Sequence, residues 1–243
     1  DYTAECDADH PLEMPEVNET CSIVTITEVT DTIGGDCANE YTVTRTFTAS
    51  DNCGNSTGPQ TQTIQIVDTT APVIDGAMDA TVECDGAGNL AEYQAWLDSH
   101  AGATATDACS ASVWSREEGE FAAACASTGS RSVVFTATDV CGNSASFIGN
   151  FVIEDTTPAS FEGDLQLEFE CTEFDMDSSY VTVEDICGDV TLTWVDNEIS
   201  GGCVKPMGRS LRLYTAVDEC GNVSQYEQSV LLVDNVAPEL TVP

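Results

Sequence analysis

Six carboxylates in this chain stand two residues ahead of a cysteine. Glu19, Asp107 and Asp185 precede Cys21, Cys109 and Cys187, while Asp51, Asp139 and Asp218 precede Cys53, Cys141 and Cys220. Neighbours of this kind suit a reactive thiol, a metal ligand, or a turn whose carboxylate keeps an oxygen free for a hard cation. The second trio sits inside "TASDNCGN", "TATDVCGN" and "TAVDECGN", three copies at near-even spacing. The pattern is therefore a repeat before it is a site.

Catalysis finds little support in these residues. A Ser or Cys nucleophile needs a base within hydrogen-bond reach, and the two histidines, His10 and His100, fall in different repeats without recurring. Paired carboxylates serve glycoside hydrolysis, but a pair present in every copy suits a scaffold better than a unique active site. The chain reads as a non-enzyme. Trp96, Trp114 and Trp194 offer sugar-stacking faces; Trp114 and Trp194 hold similar places in early strands and read as core, which leaves Trp96 as the aromatic a lectin would use.

Bulk composition narrows the partners. The 243 residues carry 6 Lys+Arg against 43 Asp+Glu, a formal charge of -37. That balance excludes binding to nucleic acid by phosphate neutralisation and attraction to anionic lipid. It suits a surface neutralised by divalent cations. No apolar run approaches the roughly 20 residues of a membrane span, so no membrane insertion is expected. The opening "DYTAEC" carries no signal peptide, so an export signal is expected outside this stretch. Twelve cysteines without zinc-type CxxC pairs point to an oxidising, extracellular setting.

The cysteines fall into register as Cys6, Cys21, Cys37, Cys53; Cys84, Cys109, Cys125, Cys141; and Cys171, Cys187, Cys203, Cys220. Each set is followed by an apolar strand closed by Asp: "IQIVDTTAP", "FVIEDTTP" and "LLVDNVAP". The expected domains are 1–70, 71–157 and 158–237, with 238–243 starting a further repeat. "VTRTFTASD" and "SVVFTATD" alternate with period 2, as half-buried strands do. Phe47 and Ala49, Phe135 and Ala137, Tyr214 and Ala216 then face inward, with Ile64 and Ile66, Phe151 and Ile153, Val230 and Leu232 from the next strand. "CGN" supplies the hairpin turn. The fold class is all-β, three tandem immunoglobulin-like β-sandwiches. One helical insert is expected at about 89–100, where Leu90, Tyr93 and Leu97 recur at helical spacing.

Sandwiches this small call for covalent staples. Four cysteines allow three connectivities. In a seven-strand sandwich the first and third fall at one end and the second and fourth at the other. That favours Cys6–Cys37, Cys21–Cys53, Cys84–Cys125, Cys109–Cys141, Cys171–Cys203 and Cys187–Cys220, each closing a loop of about 30 residues worth roughly 3–4 kcal/mol. The even count leaves no thiol over.

"TATDVCGNSAS…FVIEDTTP" and "TASDNCGNSTG…IQIVDTTAP" resemble the HYR-like, immunoglobulin-like repeats of giant surface adhesins of Bacteroidota, among them those of gliding motility. The resemblance spans the chain. It implies tandem arrays on the cell surface, export by the type IX system, adhesion to an extracellular surface or polysaccharide, and calcium. The third repeat departs from it, with "DNVAP" in place of "DTTAP" and Glu219 after its Asp.

Register and strand polarity together predict a Ca²⁺ site. Bonded cysteines hold their Cα atoms about 5.5–6 Å apart, which would draw Glu19 to Asp51, Asp107 to Asp139, and Asp185 to Asp218. The last strand of one repeat ends beside the top of the next. Asp68 is thus expected near Asp107 and Asp139, Asp155 with Glu154 near Asp185 and Asp218, and Asp234 at the equivalent place after the third repeat. Asn143 and Asn222 add oxygen donors. An all-oxygen set fits Ca²⁺ rather than zinc. The plainer reading, in which the linker Asp caps a turn, stands beside it, and Asp175 and Asp177 in "CTEFDMDSSY" suggest a second loop site.

Overall fold

The computed structural model describes residues 1–9, 12–170, 173, 179–200 and 208–241. Cys171, Cys203, Asp175 and Asp177 lie outside them, so the Cys171–Cys203 expectation and the second loop site are not placed. The chain forms two compact units, one of Asp1–Met78, Trp96–Gly119 and Ser132–Gly149, the other of Asp79–Ala95, Glu120–Arg131 and Asn150–Pro243.

In the first unit, β1 (Tyr2–Glu5), β2 (Val24–Gly34), β3 (Tyr41–Asp51) and β4 (Gln60–Val67) form a sheet in the order β1-β4-β3-β2. β2, β3 and β4 pair antiparallel, whereas β1 runs parallel to β4 with Glu5 opposite Val67. Alternation buries Phe47, Ile64 and Ile66, while Ala49 stays half-exposed. Arg45, also buried, lies 4.8 Å from the Phe47 ring centroid and binds Glu28 at 2.7 Å. β5 (Val73–Asp75) pairs with β7 (Thr104–Thr106), and β8 (Ser112–Glu118) pairs with β10 (Gly129–Asp139) over 133–139.

In the second unit, β6 (Ala80–Glu83) runs parallel to the end of β11 (Ser144–Glu154), and β9 (Ala122–Ala123) meets the start of β10. β12 (Ser160–Glu162) and β14 (Thr182–Glu184) form a two-stranded sheet. β13 (Gln166–Glu170), β15 (Val190–Ser200), β16 (Gly208–Asp218) and β17 (Val223–Val233) form the other, in the order β13-β17-β16-β15. Together they make a sandwich around Tyr214, Ala216 and Val230. Leu232 is half-buried, and Val233 takes the buried place instead. Arg212 is buried, lies 5.5 Å from the ring centroid of Trp194 and bonds Asp196 at 2.6 Å, while Trp194 itself is half-buried rather than core.

The expected insert is the helix α1 (Leu90–Asp98). Its exposed face carries Leu90, against expectation, because Trp96 and Leu97 supply the buried face. Trp96 is only 9% exposed, donates to the Met78 carbonyl at 3.2 Å and stands edge-on to Phe135. Gly149 makes this fit, since a Cβ there would lie 2.8 Å from the indole. Trp96 is therefore no exposed stacking surface.

The cysteines pair differently from expectation. The bonds are Cys6–Cys109, Cys37–Cys141, Cys84–Cys187 and Cys125–Cys220, and Cys21 and Cys53 are free and exposed. Cys6–Cys37, Cys84–Cys125, Cys109–Cys141, Cys187–Cys220 and Cys21–Cys53 do not form. The assignment of cysteines to ends holds; the partners do not. Cys6 follows β1 and donates its N–H to Val67 O, and Cys37 precedes Tyr41, which registers with Ile66. Both thus face the outgoing linker, and each end offers its two sulfurs outward to the next repeat. Loops of 103, 104, 103 and 95 residues result. In the chain-entropy model a loop near 100 residues is worth about 4.7 kcal/mol, more than a local staple.

Candidate metal centre

Each rim is built by two turns. Asp107 Oδ1 accepts the N–H groups of Cys109 and Ser110, both at 2.9 Å, and Asp185 Oδ1 accepts those of Cys187 at 2.8 Å and Gly188 at 3.3 Å. Asp218 Oδ1 accepts Cys220 N and Asn222 N at 2.9 Å, and Asp139 Oδ1 accepts Asn143 N at 2.8 Å. The glycine between sits at φ 94 in Gly142 and 91 in Gly221, a left-handed backbone that a side chain rarely adopts. The turns at Asp107, Asp185 and Asp218 take their backbone N–H groups on Oδ1, whereas the Asp139 turn also engages Oδ2 through Asn143 Nδ2. Turn former and cation ligand are thus compatible roles.

The outgoing linker delivers the third acid. Asp68, buried, brings a carboxylate oxygen within 4.8 Å of oxygens from Asp107 and from Asp139. Asp155 does the same with Asp185. Asn143 Nδ2 holds the first linker by donating to Asp68 O at 3.0 Å, and Asn222 Nδ2 donates to Asp155 O at 3.0 Å. The sulfurs near these clusters are disulfide-bonded, so only oxygen is available.

Burial pushes the Asp68 carboxyl above its ordinary range, helped by the Asp107 and Asp139 charges; Asp155 is raised likewise, by burial and then by Asp185 and Asp218. Asp139 and Asp218 go the other way. Burial would raise both, but the side-chain amide and backbone N–H of Asn143 or Asn222 and neighbouring backbone N–H groups outweigh it, and both lie low. Each cluster therefore pairs a carboxyl that resists charge with one that holds it.

The two clusters differ in what fills them. Ser110 Oγ donates to Asp68 Oδ2 at 3.3 Å, and Asn143 Nδ2 donates to Asp139 Oδ2 at 2.9 Å. Gly188 replaces Ser110 in the second cluster. There Asp155 Oδ2 and Asp218 Oδ2 have no hydrogen-bond partner, although the residues are only 9% and 6% exposed. Buried carboxylate oxygens without a partner suit a hard cation, which would satisfy them.

The remaining sequence candidates lie elsewhere. Glu154 is exposed, with Asp155 the buried member of that pair. Asp234 is exposed and accepts Val236 N at 3.3 Å. Glu19 and Asp51 form the first repeat's rim without a linker acid: Glu19 Oε1 accepts Cys21 N at 2.8 Å, and Asp51 Oδ1 accepts Cys53 N and Asn55 N at 2.9 and 2.8 Å.

Sequence reasoning missed one set of residues. Glu83 accepts the N–H and hydroxyl of both Thr156 and Thr157, at 2.8 to 3.0 Å, and Glu5 accepts both groups of Thr69. These bonds hold both glutamates below the usual range. The parallel pairing of β1 with β4, and of β6 with β11, sets each Glu beside the D-T-T linker. The signal was available in "AEC", "VEC" and "FEC", a Glu before the first cysteine of every repeat.

Fold and rims together define a tandem series of immunoglobulin-like β-sandwich repeats joined by disulfides from repeat to repeat. No protein-family model matches the chain, and no curated protein matches it. Solved structures with a distant likeness include two from cadherin-type proteins. A Drosophila N-cadherin structure is 13% identical at TM-score 0.32, covering 82% of this chain and 59% of that one. The human desmocollin-1 ectodomain is 12% identical at TM-score 0.28, covering 96% and 60%. Among the described residues, no helix is long and apolar enough to cross a membrane.

Proposed function

We propose that this chain is a three-repeat segment, at 1–70, 71–157 and 158–237, of a cell-surface or secreted adhesin. It forms a disulfide-stapled, Ca²⁺-stiffened extracellular stalk or filament used in surface adhesion of the gliding type, with no catalytic role. The observation that carries this reading is the pair of buried, unpartnered oxygens on Asp155 and Asp218, where a linker acid meets a rim. Asp68, Asp107 and Asp139 would hold one ion, and Asp155, Asp185 and Asp218 another. Bound calcium supplies positive charge that cancels their repulsion and ties each linker to the rim it enters. The chain's own part is done by Glu5 and Glu83, which fix the linker threonines, and by Asn143 and Asn222, which hold the linker carbonyl. Disulfides linking successive repeats support an oxidising, extracellular setting. The partner would be an extracellular surface or polysaccharide. The alternatives, a glycan-binding module or an accessory region of a secreted enzyme, gain nothing from Trp96, which is buried.

Thermal unfolding tests the reading. Millimolar calcium should raise the melting temperature and a chelator should reverse the rise. Equal melting temperatures with calcium and with chelator would contradict it.

A further inference from the structure

The second repeat differs from its neighbours by one insertion. The stretch from first to second cysteine is longer there than in the first or third repeat, and the surplus forms α1. No other α-helix occurs among the described residues. What the insert makes is a cleft within the second unit. Leu90 and Tyr93 of the helix, Phe121 and Arg131 from either side of the β9–β10 turn, and Phe151 and Ile153 of β11 line a cavity of about 80 Å³. The floor recurs, since Phe151 and Ile153 correspond to Ile64 and Ile66 of the first repeat and all four are buried. The walls do not. Phe121 and Arg131 stand four before and six after the third cysteine, where the first repeat has Ile33 and Val43.

Tyr93 stands edge-on to Phe151 with ring centroids 5.1 Å apart, and the Arg131 guanidinium lies 5.4 Å from the Tyr93 centroid and 5.9 Å from that of Phe121. Gly129 admits the Phe121 ring, because a Cβ there would lie 2.6 Å from it. Rings and aliphatic carbons thus make the interior apolar, with one cationic fork of N–H donors at its side. Leu90, 71% exposed, and Phe121, 40% exposed, form the lip. Size, polarity and charge select the occupant. Benzene occupies a cavity of roughly 150 Å³, so about half that volume takes a group of a few heavy atoms and no ring. A purely aliphatic tip would cover the guanidinium without offering it an acceptor, which costs desolvation. A carboxylate would offer one, but must approach a chain of formal charge -37. A methyl joined to a neutral carbonyl meets all three conditions.

We propose that this cleft is a binding site for the acetamido group of an N-acetylated amino sugar. The methyl enters between Tyr93, Phe151 and Ile153, and Arg131 donates to the acetamido carbonyl oxygen. The apolar C–H face of the sugar ring lies over Leu90 and Phe121 at the lip. The insert confines this site to the second repeat, whereas the acidic rims recur. The inference rests on the proposed function for its partner, an extracellular polysaccharide, to which it gives a chemical class. The cleft itself stands on its lining residues and needs no calcium.

The test is to titrate the full chain with chitotriose and with cellotriose, which differ only in carrying acetamido or hydroxyl groups, in calcium and in chelator. Isothermal titration calorimetry gives affinity, and saturation-transfer NMR gives the sugar protons in contact. Chitotriose should bind about tenfold or more tighter than cellotriose, with the strongest transfer at the acetyl methyl and equal affinity in calcium and chelator. R131Q and L90D should each weaken binding by about tenfold. L90D alters an exposed residue, so its melting temperature should match the parent's and its lost binding is not lost folding. No binding of chitotriose, equal binding of the two trimers, tighter binding of trigalacturonic acid or of N-acetyl-lysine, or unchanged affinity in both variants would each overturn the proposal. Because sugar binding is expected in chelator too, its failure leaves the calcium-dependent rise in melting temperature standing or falling by itself.

Discussion

The rim at Asp51 and the rims at Asp139 and Asp218 are the same turn in different company. In all three, a carboxylate oxygen accepts the N–H of the Asn four residues on, at 2.8 or 2.9 Å. The Asp51 carboxyl lies below its usual range because Asn55 bonds it from side chain and backbone, with little burial to oppose. At Asp139 and Asp218 burial is the largest influence, and the amides must overcome it. Local sequence thus makes the turn, and the incoming linker makes the site. Where a linker acid arrives, the rim Asp is buried and stands with that buried acid and a half-buried Asp107 or Asp185.

The largest expected break in this comparison is covalent. Replacing Cys37 and Cys141 together by Ser should cost the first seam about 2–5 kcal/mol, the usual range for a native disulfide. Hydrogen exchange should show faster opening around Asp68 and Asp139, whereas C21S/C53S, which removes no bond within the chain, should leave exchange unchanged.

Next in size is the amide that holds the linker. N143A removes part-buried hydrogen bonds to Asp68 O and Asp139 Oδ2 and should cost about 1–3 kcal/mol. N55A at the Asp51 rim should cost within about 0.5 kcal/mol, as surface changes do. Denaturant melts of the two variants give the contrast directly.

A subtler contrast separates the seams. S110G makes the first cluster resemble the second by deleting the hydroxyl on Asp68 Oδ2. Metal-free stability should fall by about 0.5–1.5 kcal/mol, the net worth of one hydrogen bond, and calcium should restore more of it than in the parent chain.

The smallest effect is the pH response, and its sign depends on the ion. Asp68 and Asp155 have raised carboxyl pKa values, so the metal-free folded chain takes up their protons before the unfolded chain does. Acidifying from neutrality toward the ordinary carboxylate range should therefore stabilise the metal-free protein slightly. Asp139 and Asp218 have lowered values, so their contribution, present above the unfolded pKa, is lost as pH falls through the lower folded values. With calcium bound, protonating Asp68 or Asp155 competes with the ion, and stability should fall from the start. Melting temperatures against pH, with calcium and with chelator, check the opposite slopes.

Much of this was written in local pattern. The Asp two residues before each cysteine, the left-handed glycine after it, and the period-2 strands each arise within a few residues, and short-range chemistry decides them. The disulfide partners were not legible in that way. Equal spacing inside a repeat suggests local closure, but a sulfur's partner depends on which way a repeat end faces. The 103-residue separation of first from second cysteine recurs in both seams, which was the overlooked clue. Glu5 and Glu83 escaped notice because parallel pairing of the first strand, not sequence proximity, brings them to the linker threonines.

The central claim is that a linker acid arriving at a rim completes a calcium seat. Equilibrium dialysis of the parent chain, D68N and D155N at millimolar calcium tests it most directly. The account predicts two tightly held ions for the parent and one fewer for each variant, with affinity at the altered seam down by roughly tenfold or more, about 1.4 kcal/mol per factor of ten. No bound calcium in the parent, or equal stoichiometry and affinity in all three proteins, would contradict it.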